Sequence, residues 1–138
     1  MIDVAATALN DFVELEFNLD PTHGDNIPYL KRMFSHQASV MITFRKKGKI
    51  LAIVGISELR EEGMRHLCTV YSTLMKEHSF EVARVARRTI DEVLENIMCQ
   101  GLMYAVEKDS RTGTKFSRVL GFEPILELGG KIIYRRRK

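Results

Sequence analysis

Residues 79–101, SFEVARVARRTIDEVLENIMCQG, constrain the fold of this chain more than any other stretch. Val82, Ala83, Ala86, Ile90, Val93, Leu94 and Ile97 recur at intervals of three and four, the spacing that gathers side chains on one side of a helix. Ser79 is the expected N-cap, Glu81 falls in the first turn where the dipole favours negative charge, and Gly101 is the expected stop. Arg84, Arg87 and Arg88 lie off the apolar stripe, and Glu92, Glu95 and Gln100 continue the polar face. Next, LMYAV (residues 102–106) reads as a buried strand, and SRTGTKFSRVLGF as a second helix closed by Gly121. A helix, a strand and a helix in that order call for a sheet with helices packed on it.

The rest of the chain supplies the sheet. MIDVAAT reads as a first strand, and ALNDFVELEF as a short helix with Leu9, Phe12, Val13 and Phe17 apolar. LDPTHGDN is turn chemistry, punctuated by Pro21, Gly24 and Asp25. IPYLKRMFSHQ has Ile27, Leu30, Met33 and Phe34 at helical spacing, with Pro28 at an early helix position. ASVMITFRK alternates Val40, Ile42 and Phe44, and KILAIVGISEL is apolar almost throughout, as a central strand is. Lys47 and Gly48 form the tight turn between them. EEGM is a polar turn, RHLCTVYSTL the next strand, and MKEHS a loop into the long helix. EPILELGG and KIIYRRRK close the chain as a hairpin around Gly129 and Gly130. The expected class is α/β (α+β), a sheet flanked by helices, in the order β-α-α-β-β-β-α-β-α-β-β.

With 138 residues the chain fits a single domain whose core needs no disulfide or metal staple. No apolar run is long enough to span a bilayer, and the N-terminus lacks the layout of a signal peptide, so a cytoplasmic protein is the expectation. Cys68 and Cys99 lie in apolar segments without a CxxC partner and read as buried free thiols; no metal-ligand spacing occurs. The seven methionines read as core filler. Of the net charge of +3, Arg135, Arg136, Arg137 and Lys138 contribute +4, leaving −1 for everything before them. The basicity is a terminal tail, expected to be solvated, and without aromatic interleaving or a basic face it gives nucleic-acid binding little support.

The segment SRTGTKFSRVLGFEPI, together with the element order, resembles the GNAT superfamily of acyl-CoA N-acyltransferases over essentially the whole chain. The matching positions are Phe116, Leu120, Gly121, Phe122 and Glu123: a helix carrying an aromatic residue ends in Leu-Gly-Phe and leads into a strand. The resemblance implies a GNAT-like fold, with a central mixed, mostly antiparallel sheet of about six or seven strands flanked by helices, acetyl-CoA as cofactor and an amine acceptor. It places acetyl-CoA between the strand at residues 67–74 and the strand at residues 102–106. Leu74, Met75, Lys76, His78, Ser79, Phe80 and Arg84 fall at the implied cofactor-binding corner, with Ser110 and Phe116 on the later helix.

Three family features are altered. The Gly-rich pyrophosphate loop is replaced by Met75-Lys76-Glu77-His78-Ser79-Phe80-Glu81, which has no glycine. The helix N-terminus still offers amides and a positive dipole end, with Lys76, Arg84, Arg87 and Arg88 as compensating cations and Glu77 and Glu81 opposing them. The position of the family's tyrosine acid holds Ser117, a far weaker acid, and that of its helix-opening asparagine holds Ser110. For the base, Glu58, Glu107, His78 and His66 follow or flank strands, and each also has an ordinary surface or capping reading. The altered pattern is most similar to the acetyltransferase-like proteins encoded by tailed phages, some of which are virion-associated. Two readings therefore stand: an acetyl-CoA-dependent N-acetyltransferase, or an inactive GNAT-fold structural or interaction protein, in host cytoplasm or virion if phage-encoded.

Overall fold

Lys47 and Gly48 both adopt positive φ (51° and 79°), the geometry of a two-residue turn whose twist matches the strands on either side. The turn sets the register of β2 (Val40–Lys46) on β3 (Lys49–Ile56), where Lys46 faces Lys49 and Val40 faces Ile56. In this computed structural model, residues 1–20 and 26–138 are described; the Pro21, Gly24 and Asp25 turn lies outside them. The elements follow as β1 (Asp3–Ala6), α1 (Leu9–Phe17), α2 (Asn26–Phe34), β2, β3, a 3₁₀ turn (Glu61–Gly63), β4 (Met64–Tyr71), α3 (Met75–Asn96), β5 (Gly101–Glu107), α4 (Arg111–Val119), β6 (Glu123–Leu128) and β7 (Lys131–Arg137). This is the expected order. The seven strands run β1-β2-β3-β4-β5-β7-β6 across a mixed sheet. β4 and β5 are parallel, with α3 as the crossover that parallel strands require, while β1–β2, β2–β3, β5–β7 and β6–β7 are antiparallel.

Two compact units divide the chain. The first comprises Met1–Glu58 and Cys68–His78. Its core joins Phe12 and Leu15 of α1 with Ile27, Leu30 and Met33 of α2 and with Met41, Ile50, Ile53, Cys68 and Val70 of the sheet. The rings of Phe12 and Phe34 meet edge to face at 5.5 Å. Gly55 is required where α2 lies on β3: a Cβ there would stand 2.5 Å from Met33 Sδ and 2.8 Å from Leu30 Cδ2. On α1 the buried face is Asp11, Phe12 and Leu15, whereas the apolar Leu9, Val13 and Phe17 are exposed. Met41 and Thr43 are buried together with Ile42 and Phe44, so β2 is covered on both faces and not on alternate residues alone.

The second unit comprises Leu59–Leu67 and Ser79–Lys138. Val82, Ala83, Ala86, Ile90 and Leu94 of α3 are buried as the periodicity predicts; Val93 and Ile97, at the edge of the stripe, are half-buried. Leu102, Tyr104 and Val106 of β5 are buried with Phe116, Leu120, Phe122 and Tyr134, and Tyr104 meets Phe122 edge to face at 5.7 Å. α4 opens on Ser110, whose hydroxyl accepts from Gly113 N–H at 3.0 Å, and ends at Gly121, which takes φ +88° and returns Phe122 to the core.

Several expectations need correction. α3 begins at Met75, so MKEHS is helix and Ser79 lies inside it. Ser72 explains this: its carbonyl accepts Met75 N–H at 3.1 Å and its hydroxyl accepts Leu74 N–H at 3.2 Å, capping the chain one turn early. α3 stops at Asn96, and Gly101 is the first residue of β5, where a Cβ would stand 2.4 Å from Arg136 O. Cys68 is buried, but Cys99 is only half-buried. Met33, Met41 and Met75 fill the core, whereas Met1 and Met98 are exposed. The basic end is not a loose tail. Arg135, Arg136 and Arg137 are in β7, paired with Met103, Leu102 and Gly101.

Candidate functional site

β4 is buried from Leu67 to Tyr71 and delivers the chain into a tight corner at Ser72, Thr73 and Leu74. Ser72 N–H donates to Leu51 carbonyl at 2.9 Å and Thr73 N–H to Asn18 carbonyl at 2.8 Å, which ties the corner to β3 and to the end of α1. Within the first turn of α3, Glu77 N–H donates to Leu74 carbonyl at 3.3 Å. Together with the two bonds to Ser72, this satisfies the amides of Leu74, Met75 and Glu77 inside the protein. A Gly-rich loop would present such amides to a phosphate; here the first helical turn consumes them.

The side chains at this corner divide by burial. Met75 is buried, Leu74, His78 and Ser79 are half-buried, and Lys76, Glu77, Phe80 and Arg84 are exposed. Phe80, 68% exposed, does not cover the helix end; it lies along the outside, with the Arg84 guanidinium 5.8 Å from its ring centroid. The outer face of α3 thus presents Lys76 one turn from Phe80 and two turns from Arg84. Arg87 is used elsewhere: it donates to Val119 carbonyl at 3.0 Å, at the end of α4.

In the first unit a recess of about 180 Å³ adjoins the corner, lined by Glu14, Leu15, Asn18, Lys49, Ile50, Ser72 and Leu74. The sequence reading missed it because its residues come from three separate segments. The one local signal was Ser72, a serine directly after an apolar strand, which marks the earlier helix start.

The sequence reading also missed a buried polar cluster in that unit. The Asp11 carboxylate accepts from Ala8 N–H and Thr43 hydroxyl at 2.9 Å each, and from Arg45 at 2.7 Å. Arg45 also donates to Glu14 at 2.9 Å. Burial alone would raise the Asp11 pKa, but the hydrogen bonds from Ala8, Thr43 and Arg45 and the Arg45 charge outweigh it and hold the group below its ordinary value. Burial likewise opposes the Arg45 charge, yet Glu14 and Asp11 raise its pKa.

The remaining candidates lie elsewhere. Glu58, just after β3, is half-buried, as is His66 in β4. Glu107 is exposed at the end of β5, 3.8 Å from Lys131, its cross-strand neighbour. Phe116 and Ser117 are buried in α4, and Ser117 hydroxyl donates to Thr114 carbonyl at 2.7 Å, so it is committed inside its own helix. Ser110 is occupied as the N-cap. Leu74, Met75, Lys76, His78, Ser79, Phe80 and Arg84 share one continuous segment, and Glu107, Ser110, Phe116 and Ser117 lie on another. Among the described residues, no group of three or more His, Cys, Asp or Glu side chains is placed to hold a metal, and no helix is long and apolar enough to cross a membrane.

No protein-family model matches the sequence. No curated protein matches it either. Solved structures do match, over the whole chain. A GNAT-family acetyltransferase from Streptococcus pneumoniae superposes with a TM-score of 0.70 at 14% identity, covering 100% of both chains. The GNAT domain of S. lividans PAT gives 0.76 at 11% identity, covering 99% of this chain and 90% of that one. Campylobacter jejuni N-acetyltransferase PseH, solved in complex with acetyl coenzyme A, gives 0.66 at 11% identity, covering 100% and 99%. At such identities the likeness lies in the path of the backbone, and the chain has the GNAT fold.

Proposed function

We propose that the protein is an acetyl-CoA-dependent N-acetyltransferase acting on an amine, with the corner from Ser72 to Arg84 as its cofactor-binding element. The observation that carries this reading is the whole-chain superposition on acetyltransferases, one of them solved with acetyl coenzyme A. The corner fits a phosphate by charge and not by a main-chain cradle. It joins the positive end of a 22-residue helix to an exposed lysine, while its nearest amides are already satisfied. Lys76 and Arg84 would hold the pyrophosphate, with Leu74 and Met75 as apolar wall. Glu77 opposes them, which predicts weak and salt-sensitive binding.

Acetyl-CoA supplies the activated thioester. The protein contributes mainly position, which by itself accelerates acyl transfer between held groups. The recess beside Leu74 gives a small acceptor a place; Glu14 in its wall is already paired with Arg45 and Lys49 lines it too, so it suits a neutral amine. His78, half-buried in the first turns of α3, is the preferred base, and Glu58 the second. Ser117 takes no part as acid, since its hydroxyl is buried and donates within α4. As the amine nitrogen bonds to the acetyl carbon, the thioester carbon–sulfur bond would break, the base would take the amine proton, and the departing thiolate would take a proton from water.

A second reading draws on the same corner. The satisfied amides and the enclosed Ser117 favour a GNAT-fold interaction protein without catalysis, of the kind found among tailed-phage acetyltransferase-like proteins in host cytoplasm or virion. Calorimetric titration with acetyl-CoA and with desulfo-CoA separates the two. Micromolar binding that weakens in Lys76→Ala and Arg84→Ala, and with added salt, supports the transferase. Turnover should then survive Ser117→Ala. Absence of binding at millimolar ligand overturns the transferase and leaves the interaction protein.

A further inference from the structure

In the second unit, Arg136 marks the helix-facing side of the sheet, because its guanidinium meets Asp91 of α3 and the carbonyl of Leu120. Leu102, Tyr104 and Tyr134 lie in phase with it and are buried. Strand alternation therefore turns Arg135 and Arg137 away from α3 and α4, together with Met103, which faces Arg135 in register.

On that opposite side is a cavity of about 280 Å³. Arg135 and Arg137 line it with Gln100, Glu62 and three apolar side chains, Met64, Met103 and Ile125. Ile125 reaches it at the β6 irregularity between Pro124 and Leu126, where the register with β7 shifts. Arg135 Nε is buried and has no hydrogen-bond partner among the described residues. Its Nη2 lies 3.7 Å from Glu123, a mostly exposed side chain too distant for a hydrogen bond. Buried cationic donors are ordinarily satisfied, so an empty one lining a cavity indicates a missing acceptor.

We propose that this cavity binds a small organic monocarboxylate with an apolar body. The Nε edge of a guanidinium offers two parallel donors at the spacing of the two carboxylate oxygens. Arg137, exposed at the cavity mouth, adds a second cation, and Met64, Met103 and Ile125 wall the apolar part. Glu62 in the lining and Glu123 beside Arg135 offset the two guanidinium charges, which disfavours a phosphate dianion. The cavity belongs to the starts of β4 and β5, whereas the proposed cofactor element follows the end of β4. The inference is independent of the transferase reading.

The test is a methionine-methyl NMR titration of the full chain with sodium hexanoate, alongside 1-hexanol, hexylammonium and inorganic phosphate. Hexanoate is expected to move the Met64 and Met103 methyls saturably in the millimolar range, with the other three probes ineffective. Arg135→Gln should weaken hexanoate about tenfold, as loss of a bidentate charge-assisted contact does. Arg137→Gln, at an exposed position, should weaken it too and serves if the first variant does not fold. No saturable shift, an equal response to hexanol, a response to phosphate, or unchanged affinity in Arg137→Gln overturns the proposal.

Discussion

Arg136 Nη1 donates to the carbonyl of Leu120 at 3.0 Å, binding the end of β7 to the last turn of α4. The Leu120 side chain is buried, and Arg136 and Arg87 together place cationic donors on the final carbonyls of α4, the negative end of its dipole. Arg136→Ala leaves the Leu120 acceptor without this partner and should destabilise the protein by about 1–3 kcal/mol. The contact with the half-exposed Asp91 adds little, being screened by water. Chemical denaturation should show Arg137→Ala within ~0.5 kcal/mol of wild type. Equal effects of the two substitutions would remove the distinction.

Gly121 ends α4 at φ +88°, and a Cβ there meets nothing closer than 3.6 Å. Space is available, so the cost of a side chain is backbone strain alone. Gly121→Val should cost at least about 1–2 kcal/mol, since a β-branched residue tolerates this region poorly. An unchanged melting temperature would contradict this helix end.

Asp11 should make stability depend on acid. Its folded pKa lies below the ordinary 3.8, so the carboxylate stabilises the fold at pH values above the unfolded pKa. That contribution is lost as pH falls through the lower, folded value. Melting temperature followed by circular dichroism should drop below about pH 4 in the wild type. Asp11→Asn should begin less stable at neutral pH and show a flatter acid dependence. Parallel curves for the two proteins would assign acid sensitivity to other carboxylates.

Gly55→Ala tests packing and not conformation. The added methyl would press on Met33 Sδ, Leu30 Cδ2 and Met41 Sδ, all within 2.9 Å of its position. Overpacking of this kind costs roughly 1–3 kcal/mol. The flexible thioethers set the lower end, and Met33→Ala in the same background should recover part of the loss. Additive destabilisation in the double variant would show that the methyl and Met33 do not compete.

Local chemistry made much of the fold readable. The order of elements, the Lys47–Gly48 turn, the Ser110 cap and the Gly121 stop each depend on residues within a few positions of one another. The corner at α3 was readable only in part. Apolar spacing identified the helix, but Ser72, three residues before MKEHS begins, sets its start through hydrogen bonds. Sequence alone thus determined the order of helices and strands, because periodicity and turn chemistry are short-range. Only the tertiary structure decided that Phe17 and Phe80 face outward, that Asp11 meets Thr43 and Arg45 across more than thirty residues, and that Arg135 and Arg136 of one basic run take opposite sides of a sheet. Those outcomes depend on strand pairing and helix packing between distant segments, and a side chain's partner exists only once that pairing has formed.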